Sequence, residues 1–440
     1  VSVEHPKTIS AEEAAALVRS GDWLDYGGNV SQPDGFDRAL AARASELSDV
    51  KVRSCLTLRP HAIVEADPAG ERFQLYSWHF SAYDRKLHDA GRTHYIPMNF
   101  GEAPDYYRRF IDPPDLAVIK TCPMDEHGYF NFSASVTYAK ALTERAKRLV
   151  VETSPQLPYV YGGEESVHAS EVDFVIEGAD QPPPEFGNPE PSEVDRKVAS
   201  LIAAEIEDGA CLQVGIGGMP NAVCSVLRDA GHRDLGIHTE MMVDGMIDLI
   251  ESGIVTGARK TLNRFQSVFT FALGSQRLYR FIHRNPRAQS FAVDYTNLPS
   301  QIARNDKVVA INNTTQLDLQ GQAASESDGH RHLTGTGGQL QFMRGAYASP
   351  GGKSFLCLSS VYERKGQRKS RIVTTLTPGN VVTTPRTDVM YVVTEYGMVN
   401  LKGKSVPERA KALIGIAHPD FREGLAREAR ELNLVPRGYL

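Results

Sequence analysis

Gly215-Ile216-Gly217-Gly218-Met219-Pro220 and, 25 residues on, Gly236-Ile237-His238-Thr239-Glu240 decide the reading of this chain. Val214 and Ile216 lead into the glycine turn, and Pro220 opens a helical stretch from Asn221 to Leu227. Leu235 and Ile237 precede Glu240, and Met242, Met246, Leu249 and Ile250 follow it at helical spacing. Each segment therefore reads as the end of a strand that runs into a helix. In a parallel α/β sheet ligands bind at the carboxyl ends of the strands. A carboxylate there faces N–H groups freed by glycine and by a helix start. Such donors suit a carbonyl oxygen that gains charge under attack. The plain alternative is an acidic residue favoured near a helix start by the helix dipole.

Composition bounds the rest. At 440 residues the chain is long for one hydrophobic core, and two domains are expected. The residues are 41% hydrophobic and 23% charged, with a mean hydropathy of −0.32, as in ordinary globular proteins. A net charge of −6 and a pI near 6.1 exclude a broad basic footprint for nucleic acid. They still allow a local pocket for an anionic substrate. No run of 18 apolar residues predicts a membrane span. Ser10-Ala11-Glu12-Glu13 reads as a capping box opening an amphipathic helix, and the start has no signal-peptide pattern. Cysteines 55, 122, 211, 224 and 357 are odd in number and lack C-x-x-C spacing, which fits reduced thiols and a cytoplasmic location. Leu434-Val435-Pro436-Arg437-Gly438 matches most of a protease-cleavage sequence and carries no weight in the fold reading.

The linker is Pro182-Pro183-Pro184-Glu185-Phe186-Gly187-Asn188-Pro189-Glu190-Pro191-Ser192, whose five prolines cannot continue a helix or a central strand. Helical spacing resumes over Glu193 to Glu207. The boundary falls near residue 190, giving α/β domains over residues 1–190 and 191–440. The two look like copies of one unit. Asp22 to Tyr26 leads to Gly27-Gly28, Pro33, a helical stretch from Phe36 to Leu47 and the strand Val50-Lys51-Val52. Asp208 to Val214 leads to Gly217-Gly218, Pro220, a helix to Leu227 and a strand ending at Glu240. Apolar runs follow in each: Leu116 to Ile119 and Leu149 to Glu152, then Val308 to Ile311 and Phe355 to Leu358. Only the second copy carries the glutamate, so chemistry is assigned mainly to it.

Other motifs sort quickly. Gly352-Lys353-Ser354 and Gly403-Lys404-Ser405 are not phosphate loops, because Tyr347 and Met398 stand where the first glycine is needed. Neither a zinc-spaced Cys/His cluster nor a G-x-S-x-G elbow occurs, so no metal is expected. His127 reads as a turn residue. Thr334-Gly335-Thr336-Gly337-Gly338-Gln339 can aim backbone N–H groups at an anion, or form a tight hairpin. Lys353 follows Gly351-Gly352 and can reach a phosphate, unless it is a solvated charge. Asn312-Asn313 close another strand, where capping is their default role.

Together these segments resemble the class I coenzyme A-transferases, in the branch of 4-hydroxybutyrate CoA-transferase and butyryl-CoA:acetate CoA-transferase, related to acetyl-CoA hydrolases. The likeness runs over nearly the whole chain. It includes Tyr95-Ile96-Pro97-Met98, Pro123 to Tyr129, Val167 to Asp173, Leu212 to Gly218, Gly236 to Met241, Gly335 to Gln339, Gly351-Gly352-Lys353 and Thr394-Glu395-Tyr396-Gly397. Two departures stand out: Gln341 where the family usually has Asp, and Phe80 to Arg85, which lacks the usual glycine and asparagine.

The resemblance implies two similar open α/β/α domains in tandem, with the active site in the cleft between them. It implies transfer of CoA from a short- to medium-chain acyl-CoA, such as butyryl-CoA or 4-hydroxybutyryl-CoA, to acetate or a similar acid. The route is ping-pong through a glutamyl-CoA thioester on Glu240. N–H groups of Ile216 and Gly338 would hold the oxyanion. Gly215, Ile216, Gly217, Gly218, Met219, Pro220, Asn312, Gly335, Gly337, Gly338 and Lys353 would bind CoA, which serves as substrate and covalent intermediate with no tightly bound cofactor. Gly27, Gly28 and Ser31 would wall the acyl pocket. Partners are acyl-CoA, small carboxylic acids and a second copy in a homodimer, without nucleic acid or membrane. The competing readings are an acyl-CoA hydrolase on the same scaffold, a non-catalytic CoA-binding protein and a Rossmann dehydrogenase. The last is disfavoured because G-x-G-x-x-G spacing is missing.

Overall fold

The structure is a computed structural model and describes residues 6–178, 181–187, 189–215 and 217–439. The chain divides into two compact units. The first comprises Val1–Phe186, Glu240–Met242 and Val268–Thr296; the second comprises Gly187–Thr239, Val243–Ser267 and Asn297–Leu440. A contiguous cut near 190 thus leaves out two stretches of the second half, Glu240–Met242 and Val268–Thr296, that pack with the first unit.

The first unit is built on an eight-stranded sheet. Its order is Lys7–Thr8, Phe174–Glu177, Leu149–Thr153, Leu116–Thr121, Trp23–Gly28, Val50–Cys55, Phe73–Ser77 and Thr93–Tyr95. Every pair is parallel. Central strands buried on both faces need continuous apolar runs, and Leu116–Thr121 and Leu149–Thr153 are buried at every residue. Helix Asp34–Ala42 buries Phe36, Ala39 and Leu40 in one core with Leu24, Val52, Val118 and Val150. The expected stretch to Leu47 breaks at Arg43 and finishes as a short 3₁₀ turn, Ala44–Glu46. Ser10 makes the expected capping box with Glu13, and helix Ala11–Ala15 follows.

The second unit has a six-stranded sheet in the order Gly236–Ile237, Cys211–Val214, Val308–Asn313, Lys353–Cys357, Tyr391–Thr394 and Gly397–Asn400. All pairs are parallel except the last, a hairpin. The internal likeness read from sequence reappears in strand order. Trp23–Gly28 lies between Val50–Cys55 and Leu116–Thr121, with Leu149–Thr153 next. Cys211–Val214 lies between Gly236–Ile237 and Val308–Asn313, with Lys353–Cys357 next. In each unit the strand before the double glycine is central and the strand after its helix lies to one side.

Between the sheets' chain segments, Ser192 caps helix Glu193–Ala203 through Asp195. That helix stops four residues short of Glu207, because Asp208-Gly209, with Gly209 at φ +79°, turns the chain into the next strand. Helix Gly218–Asp229 starts three residues before the expected Asn221. Val435 is buried in the second unit's core with Leu413, Leu425 and Ala429, so the segment set aside at the C-terminus is part of the packed fold. All five cysteines are free and buried. No helix among the described residues is long and apolar enough to cross a membrane.

Candidate active site

Glu240 sits between two very short strands, Gly236–Ile237 and Met241–Met242. It is therefore not the end of one strand, and Met242 belongs to the second strand rather than to helix Asp244–Glu251. Met241–Met242 pairs in parallel with Phe271–Ala272. The Glu240 carbonyl accepts the amides of Thr270 at 3.0 Å and Phe271 at 3.3 Å. Its backbone is thus fixed to the first unit, while the residue itself is only partly buried.

The same unit brings the Gly27-Gly28 turn to this segment. Phe271 bridges to Ser135, whose hydroxyl donates to the Gly28 carbonyl at 2.9 Å. Asn29, at φ +57°, donates its amide to the Ser135 hydroxyl at 3.3 Å. Gly27 lies at φ +65°, and a Cβ there would meet Ile119 and Ser31 at 3.2 Å. Gly28 is extended at φ −138°, so space rather than backbone conformation argues for glycine. A Cβ on it would stand 3.1 Å from the Tyr138 hydroxyl and 3.4 Å from Cys55 Cβ. Ser31 is buried beneath the turn. Burial, then Asp84, then Glu240 push the Cys55 thiol well above its usual range. The Glu240 carboxylate is therefore within electrostatic reach of the residue that packs on Gly28. Tyr138, Cys55 and Asn29 carried no sequence signal beyond being ordinary core or turn residues. Asn29, directly after a double glycine, is the one that left-handed geometry could have singled out.

The second unit assembles a different group at the carboxyl ends of its strands. The Gly215 amide donates to Ile311 O at 3.1 Å, and Gly217, at φ +119°, caps helix Gly218–Asp229. Met219 and Pro220 are buried in that helix's first turn. Asn312 exchanges amide hydrogen bonds with Gln213 at 3.0 and 3.4 Å, a partner the sequence reading missed. Gly335, Gly337 and Gly338 are buried, and Gly338 is the N-cap of helix Gln339–Ala348. This is a loop into a helix, not a hairpin. Gln339 anchors it by donating to Asn313 O at 2.7 Å and accepting from Ser325 at 2.8 Å and Thr384 at 3.0 Å. The glycine turn, Asn312 and the Gly335–Gly338 loop thus meet at one end of the sheet. Ile216 lies outside the described residues.

Lys353 does not join them. It opens its strand opposite Val309, whereas Cys357 stands opposite Asn313. Four residues of strand put it about 13 Å toward the amino end of the sheet. There its ammonium binds the carbonyl and the carboxylate of Glu205, each at 2.9 Å. His127 is exposed in a turn whose Asp125 side chain accepts its amide at 2.9 Å, as its sequence context suggests. No group of three or more metal-ligating side chains occurs among the described residues.

Residues 3–184 match the acetyl-CoA hydrolase/transferase N-terminal domain and residues 274–429 the C-terminal domain of the same family. A butyryl-CoA:acetate CoA-transferase of Anaerostipes caccae is 44% identical over 98% of this chain and 97% of its own length. The crystal structure of RipA from Yersinia pestis aligns with a TM-score of 0.88 at 39% identity, covering 98% of both chains. A 4-hydroxybutyrate CoA-transferase of Porphyromonas gingivalis aligns with a TM-score of 0.79 at 34% identity, covering 97% of this chain and 98% of that one. Both activities named in the sequence resemblance recur among these relatives. The chain belongs to the acetyl-CoA hydrolase/transferase family.

Proposed function

We propose that this CoA-transferase exchanges coenzyme A between a short- to medium-chain acyl-CoA and a free carboxylate, with Glu240 as the covalent carrier. The Glu240 carboxylate attacks the thioester carbonyl carbon. The C–S bond breaks, CoA leaves as a thiolate, and an acyl–glutamyl anhydride remains. The thiolate then attacks the glutamyl carbonyl, the acyl carboxylate departs, and a glutamyl–CoA thioester is left. An incoming carboxylate reverses both steps. The thioester's energy is retained throughout, so no nucleoside triphosphate is required.

The observation that carries this reading is the anchoring of Glu240 through its own carbonyl on Thr270 and Phe271. Two amides on this carbonyl fix the backbone from which the nucleophile projects, and pre-positioning of this kind lowers the barrier. Backbone N–H groups of Ile216 and Gly338 are assigned to the oxyanion. Gly215, Gly217, Gly218, Met219, Pro220, Asn312, Gly335 and Gly337 are assigned to CoA. Lys353 is left out, because its ammonium is committed to Glu205. Gly27, Gly28 and Ser31 are assigned to the acyl pocket. The relatives' names point to butyryl or 4-hydroxybutyryl groups with acetate as the class to test first.

Initial-velocity kinetics with an acyl-CoA donor and a carboxylate acceptor test the exchange. Parallel double-reciprocal lines are expected. Intersecting lines, or CoA release at full rate without acceptor, would replace this reading with a ternary complex or a hydrolase.

A further inference from the structure

Lys260 is 3% exposed, yet no carboxylate pairs with it among the described residues. Buried ammonium groups are costly unless something holds the charge. Here two backbone carbonyls do: Ile237 O at 2.9 Å and Gln266 O at 2.7 Å. The position of Ile237 explains the need. Among the described residues, strand Gly236–Ile237 is the edge of its sheet, paired with Cys211–Val214. Gly236 and His238 give their amides to Ala210 and Leu212 of the sheet. In a strand the intervening residue points its carbonyl the other way, where no strand waits. The loop after residue 254 covers that edge: Leu235 and Gly257 bond to Ile254 and Leu235 in turn, and Lys260 supplies the donor for Ile237. Gly236 makes room for it, since a Cβ there would lie 2.5 Å from Lys260 Cγ.

We propose that Lys260 is a positioning residue for the nucleophile: its ammonium pins the carbonyl of Ile237 and so fixes the path of the chain into Glu240, three residues on. This rests on the reading of Glu240 as the covalent carrier. An uncharged apolar side chain would fill the same space without the cost of a buried charge but would leave this carbonyl without its ammonium donor. Burial lowers the Lys260 pKa to about 8, against an opposing effect of Cys211. Cys211, on the adjacent strand, is the titratable group that faces it, and its thiol is pushed up to about 11 by burial. Arg259, on the same loop, is paired with Asp234 at 3.1 Å. The clamp should therefore weaken as pH rises through about 8, while Cys211 stays neutral.

The test is the rate at which acyl-CoA, without acceptor, converts folded protein into the glutamyl–CoA adduct, followed by intact mass at about pH 7 and pH 9. Wild type should form the adduct several-fold more slowly at the higher pH. Lys260→Met should be about ten-fold slower at neutral pH, with KM for acyl-CoA within about two-fold and no remaining pH dependence. Lys260→Arg, charged throughout, should recover much of the rate with a flat profile. An adduct rate in Lys260→Met within about two-fold of wild type, or an unchanged alkaline slope in that variant, overturns the proposal. If Lys260→Met does not fold, the wild-type slope and its loss in Lys260→Arg decide it. Wild type that forms no adduct at all would instead overturn the assignment of Glu240, leaving the two failures distinguishable.

Discussion

The backbone carbonyl of Glu240 accepts the amide of Thr270 at 3.0 Å, which makes the proposed nucleophile a structural part of the first unit although the sequence places it deep in the second half. Phe271 completes the anchor: its amide reaches the same carbonyl at 3.3 Å and its ring meets Phe100 edge-on at 6.2 Å. Phe271→Ala should leave a cavity beneath Glu240 and cost about 3–5 kcal/mol in denaturant unfolding. Its kcat should fall while KM for acyl-CoA changes little. A variant as stable and as active as wild type would remove Phe271 from the support of Glu240.

Gly28→Ala tests the acyl pocket. The added methyl would crowd the Tyr138 hydroxyl at 3.1 Å and Cys55 Cβ at 3.4 Å, and the backbone there accepts any residue. The donor profile should move toward shorter acyl groups by about 10-fold in relative kcat/KM, as one methylene is worth in an apolar pocket. CoA affinity should hold. A uniform loss across all donors would place the pocket elsewhere.

Lys353→Ala should lower stability by about 0.5–1 kcal/mol, the ordinary range for a partly exposed ion pair such as Lys353–Glu205. KM for acyl-CoA should stay within about two-fold of wild type. A selective rise in that KM would return Lys353 to the CoA site.

The first unit carries a buried carboxyl whose titration should be visible in stability. Burial raises the Asp37 pKa to about 7, against hydrogen bonds from the Ala62 amide and the Tyr26 hydroxyl. The folded value lies above the unfolded one, so the folded state holds the proton more tightly. Its contribution is complete below about pH 4 and is lost as pH rises through about 7. The loss is on the order of 4 kcal/mol. Asp37→Asn should flatten that slope in melts between pH 4 and 8. An equally steep slope in the variant would assign it to other groups.

What the sequence disclosed follows from what is local. The parallel strands and the Ser10 capping box are written in short-range patterns, and each is found where expected. The family likeness and the CoA-transferase relatives were legible in the order of those motifs. The place of Lys353 was not legible, because Gly351-Gly352-Lys353 fixes flexibility but not which end of a strand the lysine occupies, and register with Val309 decides that. The link from Glu240 to Thr270 and Phe271 joins residues about thirty apart through strands of two residues, too short for any periodicity. Lys260 reads as one more surface lysine until the bare edge at Ile237 is seen.

The most direct test of the account is the mass of the protein after exposure to acyl-CoA without acceptor. Intact protein should gain the mass of CoA less one water, and peptide mapping should place the gain on Glu240 alone. Addition of a carboxylate should discharge it to a new acyl-CoA, and Glu240→Ala should neither gain mass nor transfer CoA. Full transferase turnover with Glu240 unmodified, or retained in Glu240→Ala, would contradict the account.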